Sequence, residues 1–302
     1  MHEKESRLGP VSAMNALDCG SSIYLIVGAG SQISMEAWQM DRLTQVGFYH
    51  AMQHVISIEV IRSYIILVDA YEGIRFLIWK DHDKTLNLIS RDYSLLPVFS
   101  AGMLTLGNGL AFVSHDEREN FRVLQYAPND AESDGGARLI VKADFHMGCS
   151  AVQFSSHYCV PPAISYSANT TVSFASMKGT PFEAQAREME ETFGLCFGTT
   201  DGGFSCVVPL PTMIFTRLQA LQNIMSNALS SPAACSTRGW RHYRRYHMQV
   251  IEPVKKKVLD TDLLLRFMNL EQGVQEELCA AGGTTVDVIK DHLLLLSSYC
   301  TI

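Results

Sequence analysis

The sequence predicts a mainly β fold built from repeated units, followed by a small α-helical domain. The first observation is an internal repeat, in which a strand-like apolar run is followed, after a short turn, by a second run that ends in an aromatic residue or proline. The four pairs are IYLIVG with ISMEAW, YIILVD with IRFLIW, LAFVSH with FRVLQY, and GLCFGT with FSCVVP. The second observation is that the apolar period changes from two residues to about 3.6 after Pro211, which indicates helices.

The spacing of the repeat predicts the four-stranded blades of a β-propeller. Trp38 recurs as Trp79, 41 residues later, and then as Tyr126, 47 residues further on. Propeller blades repeat about every 40–50 residues. Because a blade cannot bury both of its faces alone, its neighbours must supply its core. We therefore expect a partial propeller of about four blade units over residues 1–211 and a helical domain over residues 212–302.

The unit that begins at His54 contains all four strands of a blade. Its strands are HVISIEV, YIILVDA, IRFLIWK and TLNLISR, with turns at Arg62-Ser63, Tyr71-Glu72-Gly73 and 81–84. Glycine, aspartate and serine favour such turns for backbone reasons. The next unit is predicted to consist of PVFSAGM, LAFVSHD, FRVLQYA and ARLIVKA. Polar sequence over residues 160–191 then interrupts the repeat, and we expect a long surface loop there.

The helical domain is predicted to contain four helices. Apolar residues recur at three- and four-residue steps after Pro211, which gives the first helix one apolar face. Further helices are expected over 260–270 and 272–281, and a fourth from Gly283-Thr284-Thr285 onward. Gly282-Gly283 favours the left-handed backbone that ends the third helix.

Composition limits the classes of protein that the chain can represent. Its 302 residues are 47% hydrophobic and 18% charged, which predicts a globular protein of one to three domains. No apolar run approaches the roughly 20 residues of a membrane span, so we expect a soluble, intracellular protein without a membrane partner. The eight cysteines include no C-x-x-C pair, which favours reduced thiols. The net charge of −7 argues against general adhesion to nucleic acid, so any such contact must be local.

Two short sequences contain the residue types of catalytic or metal sites. Ser114-His115-Asp116 holds three triad residue types, but adjacent residues point in different directions and form no relay. We interpret it as a solvated turn between strands. Asp81-His82-Asp83 is interpreted as a hairpin turn, in which aspartate is common. The sequence therefore predicts no catalytic residues, no metal site and no cofactor.

One segment, from Arg238 to Lys257, is locally basic. It contains seven basic residues and only one acid, Glu252. Arginines interleaved with aromatic residues are typical of proteins that bind single-stranded RNA. The alternative is a basic connection between helices that contacts the chain itself or a partner protein, since charge runs are usually solvated faces. The candidate contacts to nucleic acid or a partner are Arg238, Trp240, Arg241, Tyr243, Arg244, Arg245, Lys255, Lys256 and Lys257.

Several segments together resemble a known family. They are TLNLISRD, GGARLIVKADFHMG, GTTDGG, FTRLQALQN, VLDTDLLLRF and GTTVDVI. In this order they resemble the C-terminal region of the large subunit of cleavage and polyadenylation specificity factor. The large subunit of the damaged-DNA-binding complex and a subunit of a spliceosomal branch-site factor share this architecture.

The resemblance implies the last blades of a seven-bladed propeller followed by a small helical domain. It also implies a non-enzymatic, nuclear scaffold for mRNA 3′-end processing that organises other subunits of the cleavage and polyadenylation complex. Contact with precursor mRNA and pure scaffolding both stay open. Family members are several times longer, so we expect the upstream propeller portion of the same protein as a further partner.

Two other functions remain as alternatives. The first is an adaptor resembling the damaged-DNA-binding large subunit of a ubiquitin ligase, or the related spliceosomal subunit. The second is an enzyme built on a propeller, with its site at the central channel. The absence of a convergent set of acids, bases and ligands on the predicted channel strands argues against the enzyme.

Overall fold

The strands in the described part of the chain form four antiparallel sheets. The computed structural model describes residues 9–20, 22–51, 53–94, 96–106, 109–159, 192–229, 241 and 257–299. The first sheet has the order β1-β2-β3-β4, the second β5-β6-β7-β8, the third β9-β10-β11-β12 and the fourth β13-β14-β15. In chain order these strands are β1 (Val11–Asp18), β2 (Ile23–Ala29), β3 (Gln32–Gln39), β4 (Arg42–His50), β5 (Val55–Ile61), β6 (Tyr64–Asp69), β7 (Gly73–Lys80), β8 (Thr85–Arg91), β9 (Val98–Leu106), β10 (Gly109–Asp116), β11 (Asn120–Tyr126), β12 (Ile140–His146), β13 (Ala151–Cys159), β14 (Thr192–Thr199) and β15 (Phe204–Val207).

Tight turns connect neighbouring strands within each sheet. Met40 and Asp41, between β3 and β4, both have positive φ angles (49° and 59°), as a two-residue type I′ hairpin requires. Arg62 (φ 54°) lies in the turn between β5 and β6, and Lys84 (φ 53°) ends the turn before β8. The predicted strands and turns of the unit beginning at His54 are thereby confirmed. In the next unit, the last strand begins at Ile140 rather than at the predicted Ala137.

Consecutive sheets pack face to face. One core cluster joins the first and second sheets, with Ile26 and Leu67 among its members. A second joins the second and third sheets through Val68 and Phe112, and a third joins the third and fourth sheets. Successive residues of β6, such as Leu67 and Val68, therefore enter different cores, because strand side chains alternate between faces. Burial on both faces explains why β6 and β7, the two middle strands of the second sheet, are nearly continuous apolar runs rather than alternating ones.

The first strands of the four sheets lie side by side in chain order. Strand β1 contacts β5, β5 contacts β9, and β9 contacts β13. The Ser12 hydroxyl donates to the Val55 carbonyl (2.5 Å), and the Asn15 amide donates to the Ile58 carbonyl (2.8 Å). The four strands line a groove of about 660 Å³, which we call the central groove.

The helices share a separate hydrophobic core. They are α1 (Thr212–Ala228), α2 (Thr261–Leu265), α3 (Gln272–Ala281) and α4 (Val286–Tyr299), and a 3₁₀ turn at Arg266–Asn269 extends α2. Leu218, Phe267 and Leu293 are fully buried in this core. Gly283 ends α3 with a φ of 67°, as predicted. The predicted loop over residues 160–191 lies outside the described residues.

The prediction of a solvated turn at Ser114-His115-Asp116 is wrong. These residues end β10, and all three are buried. The third and fourth sheets enclose the end of this strand, and the His115 ring packs against Phe121 with centroids 5.2 Å apart. The Asp116 carboxylate accepts hydrogen bonds from the backbone amides of Arg118 (2.9 Å) and Asn120 (3.0 Å), so it orders the turn from inside the protein. That these residues form no catalytic relay stays a prediction.

Candidate functional site

The basic segment from Arg238 to Lys257 is the candidate interaction site. Of the nine predicted contact residues, the structure describes Arg241 and Lys257. Arg238, Trp240, Tyr243, Arg244, Arg245, Lys255 and Lys256 lie outside the described residues. The geometry of the site therefore starts from Arg241.

Arg241 binds groups from the strands and from the helices at once. Its Nε donates to Asp260 Oδ2 (2.8 Å), and its Nη2 lies 3.1 Å from Asp262 Oδ2. Its Nη1 donates to the Met147 carbonyl (2.7 Å), and its guanidinium lies 4.9 Å from the centroid of the Phe145 ring. We call this group of five residues the Arg241 clasp.

The partners in the clasp are positioned by secondary structure. Asp260 is the N-cap of α2, where its side chain accepts from the Leu263 amide, and its own amide donates to the Gln222 side chain of α1 (2.6 Å). Phe145 belongs to β12, and Met147 follows that strand. The neighbouring His146 amide donates to the Arg241 carbonyl (3.3 Å). The clasp therefore joins the end of β12 to the start of α2.

The two described basic residues differ in exposure. The Arg241 side chain is 16% exposed and binds its own chain, so its charge is directed inward. Lys257 is exposed. A guanidinium that is shared between a buried carboxylate and a backbone carbonyl fixes the relative positions of these two groups through its several N–H donors. The role in nucleic-acid or partner contact stays a prediction for the segment.

Sequence reasoning missed the acidic partners of Arg241. Asp260 and Asp262 lie in the segment VLDTDLLLRF, where an aspartate before an apolar run is a helix N-cap signal. That signal predicts where α2 begins, and it carries no information about an arginine 19 residues earlier in the chain.

The other residues with metal-binding or redox chemistry are placed as follows. Asp81-His82-Asp83 forms the turn between β7 and β8, where Asp81 Oδ1 accepts from Lys84 (2.9 Å). Among the described residues, no three His, Cys, Asp or Glu side chains are grouped as a metal would require. Cys19, Cys149, Cys196, Cys206 and Cys279 are thiols rather than disulfides.

In the part of the chain that the structure describes, no helix has the length and hydropathy needed to cross a membrane.

Comparison with known proteins gives consistent matches over most of the chain. The chain is 29% identical over 287 residues to the probable cleavage and polyadenylation specificity factor subunit 1 of Oryza sativa subsp. japonica, an alignment that covers 94% of this chain and 18% of the rice protein. It is 29% identical to subunit 1 of Arabidopsis thaliana, with 89% and 17% covered, and 23% identical to protein cft1 of Schizosaccharomyces pombe, with 93% and 18% covered. The chain thus spans less than a fifth of the length of these relatives.

A family model also matches most of the chain. The model of the CPSF A subunit region matches residues 1–269, which include all four sheets, the Arg241 clasp and the first two helices. This chain belongs to the CPSF A subunit region family.

Proposed function

We propose that the chain is part of a non-catalytic scaffold subunit of the nuclear machinery for mRNA 3′-end cleavage and polyadenylation. The observation that carries this proposal is the family match over residues 1–269, together with relatives named as cleavage and polyadenylation specificity factor subunit 1. The chain organises protein partners of that complex, and the upstream part of the same protein is one of them.

The arrangement of the sheets supports a partial propeller over residues 1–211. Strands β1, β5, β9 and β13 lie in a row around the central groove, and consecutive sheets bury their faces against each other. Both features are expected of blades around an axis. Residues 212–302 form the second domain of this proposal, since the described helices share one core of their own.

Within this role, the basic segment is proposed to contact a partner protein or precursor mRNA. Lys257, which is exposed, and the neighbouring Lys255 and Lys256 provide positive charge for such a contact. Arg241 has a second task, because its guanidinium holds the β12 end against α2. Substitution of Arg241 therefore changes the fold and the charge together, and it is unsuitable as a simple test of binding.

The test is a tagged pull-down from native nuclear extract, with mass spectrometry of the partners and sequencing of crosslinked RNA. We expect subunits of the cleavage and polyadenylation complex. We also expect Lys255→Gln, Lys256→Gln and Lys257→Gln, introduced together, to reduce the recovery of RNA or of one partner. A matched control replaces Arg42, Lys80 and Arg138, three exposed basic residues, by Gln. Recovery of ubiquitin-ligase components instead would favour the alternative function as an adaptor.

A further inference from the structure

Among the described residues that line the central groove, one has an ionisable side chain. Its polar lining includes Asn15, Ser57, Ser100, Gln153 and Ser155, and its charge comes from Glu59 of β5. This lining, taken over the residues that the structure describes, includes no lysine, arginine or histidine. The described part of the groove therefore carries a negative charge, with no cationic side chain in its lining.

The Glu59 carboxylate lacks a partner in the described part of the chain. It is half-buried, and it makes no hydrogen bond or ion pair with another described residue. Burial raises the pKa of Glu59, because removal of water disfavours the charged form. Buried charges in proteins are usually paired, since an unpaired one is costly. A bound cation would supply the missing partner.

The remaining lining indicates what kind of cation fits. Serine hydroxyls and the Gln153 amide in the same lining provide further hydrogen-bond acceptors. A guanidinium offers five N–H donors in a plane and is more weakly hydrated than an ammonium, so it loses less on entering such a site. Phosphate groups are disfavoured by the charge of Glu59, which argues against RNA in this groove.

The size and rim of the groove favour a peptide over a small amine. Its volume of about 660 Å³ lies within the range of roughly 300–1,000 Å³ that is typical of ligand sites. Met14, Phe99 and Val152 line the groove with side chains that are 62%, 52% and 64% exposed. They offer apolar contact to the residues that flank an arginine in an extended segment.

We propose that the central groove binds an extended peptide segment of a protein partner by accepting its arginine side chain at Glu59. This inference rests on the groove itself and does not depend on the proposed role in polyadenylation. Binding pairs the guanidinium with the carboxylate and covers the apolar rim with the flanking residues. The groove is thus a second proposed interaction surface, built from residues that precede the basic segment in the chain.

The test measures fluorescence anisotropy of a labelled Gly-Leu-Arg-Leu-Gly peptide with the full 302-residue chain. The matched probe has citrulline in place of arginine, which keeps the shape and removes the charge. We expect the arginine peptide to bind, and Glu59→Gln to weaken its binding about tenfold or more, as the loss of a charge-assisted hydrogen bond predicts. Glu117→Gln, which removes an exposed charge outside the groove, should leave the affinity unchanged.

A second variant separates loss of binding from loss of folding. Ser57 and Glu59 lie two residues apart on β5 and so share a face, and Ser57→Lys would place an ammonium next to the carboxylate. We expect this variant to keep the circular dichroism spectrum and to lose peptide binding. The proposal is overturned if the arginine peptide fails to bind, if the citrulline peptide binds equally well, or if Glu59→Gln retains full affinity. If free spermidine binds as tightly as the arginine peptide, the groove is a site for small amines, and the proposal of a peptide ligand is overturned.

Discussion

Arg122 of β11 lies at the same strand position as Arg75 of β7, 47 residues earlier in the chain, and each reaches across to the preceding sheet. Arg75 Nη1 donates to the Tyr49 hydroxyl on β4 (3.0 Å), and its other partner is Glu72 in its own sheet. Arg122 pairs with Asp92 and donates to the Ser94 hydroxyl (2.6 Å), just beyond β8. The internal repeat therefore includes a recurring buried arginine that ties one sheet to the sheet before it.

The two arginines should differ in their contribution to stability. Arg122→Met leaves the Asp92 carboxylate, which is 3% exposed, without its cation, and we expect a loss of about 3–5 kcal/mol in the free energy of unfolding. Burial alone would raise the pKa of Asp92, but the Arg122 charge and the Ser94 hydrogen bonds hold this pKa below its ordinary value. Arg75→Met loses a bond to a neutral hydroxyl and a pair with the more exposed Glu72, so about 1–2 kcal/mol is expected.

Urea unfolding of both arginine variants provides the comparison. Adding Asp92→Asn to Arg122→Met removes the unpaired buried charge and should recover part of the loss. Equal losses for the Arg75 and Arg122 variants, or no recovery in the double variant, would contradict this account of the buried pair.

Close packing between the third and fourth sheets predicts a cost for a single methyl group. A Cβ at Gly102 on β9 would lie 2.8 Å from Leu195 Cδ1 and 2.9 Å from Phe154 Cβ. Gly102→Ala should therefore destabilise the protein by about 1–3 kcal/mol through overpacking. Gly198→Ala on β14 is the control, because no atom lies within 4 Å of its added Cβ. A shift in thermal midpoint for Gly198→Ala as large as that for Gly102→Ala would argue against this tight contact.

Much of the β architecture was predictable because local and tertiary signals agree. In the second sheet, apolar runs, turn residues and burial on both faces all favour the same four strands. The prediction failed at Ser114-His115-Asp116, where polar residue types suggest solvent but two packed sheets enclose the end of β10. The predicted start of the last strand of the third sheet, at Ala137, was too early. Arg138 makes only an isolated parallel bridge to Arg91 before β12 begins at Ile140.

The inward direction of Arg241 could not be predicted from its neighbours. Within the segment it is one of several arginines among aromatic residues, and this local pattern is compatible both with an outward, binding role and with contact to the chain itself. Its carbonyl acceptor at Met147 is 94 residues away in sequence. Such a contact depends on how the helices meet the end of β12, which a local pattern does not encode. Lys257, by contrast, is exposed, as its charge predicts.

Loss of the Arg241 clasp should destabilise the contact between β12 and α2. In Arg241→Gln, the Asp260 carboxylate keeps its N-cap position but loses its cation, and we expect a loss of about 2–3 kcal/mol. Hydrogen exchange should increase most for backbone amides near His146 and Leu263, which lie on the two sides of the clasp. Lys257→Gln is the matched control, since it removes an equal charge from an exposed position. Similar exchange in both variants would rule out a structural role specific to Arg241.

Protonation of His292 should weaken the helical part of the protein in acid. Burial, together with the nearby Arg217 charge, lowers the pKa of His292 on α4 to about 4. The unfolded chain, with a histidine pKa of about 6.5, binds a proton first as the pH falls. Stability from this group is therefore complete above about pH 6.5 and is lost as the pH falls toward 4, by on the order of 2 kcal/mol.

The His292 effect can be isolated by substitution. Unfolding free energies at pH 7 and pH 5 should differ less in His292→Gln than in the unsubstituted chain, because glutamine does not titrate. His82→Gln, at a side chain that is 77% exposed, should keep the full difference. If His292→Gln retains the whole pH dependence, the acid sensitivity arises elsewhere.

The outer face of the first sheet should make the isolated chain self-associate. Strand register places Met14, Val27, Ser34 and Phe48 in one row on the face opposite the core. By strand alternation Trp38 shares this face, and Trp38 and Phe48 are each 55% exposed. Contiguous exposed apolar residues on a sheet commonly mark a contact surface or an aggregation site.

Sedimentation velocity over a wide concentration range should show this self-association in the unsubstituted chain. Trp38→Lys combined with Phe48→Lys places charge on the face and should shift the protein toward monomer, because burying two unpaired ammonium groups against another chain is unfavourable. Tyr71→Lys is the control, at a turn residue that is 63% exposed and lies between β6 and β7. Since it adds a charge away from the first sheet, it should leave the association unchanged. A monodisperse monomer before any substitution would show that this apolar face remains solvated without a partner.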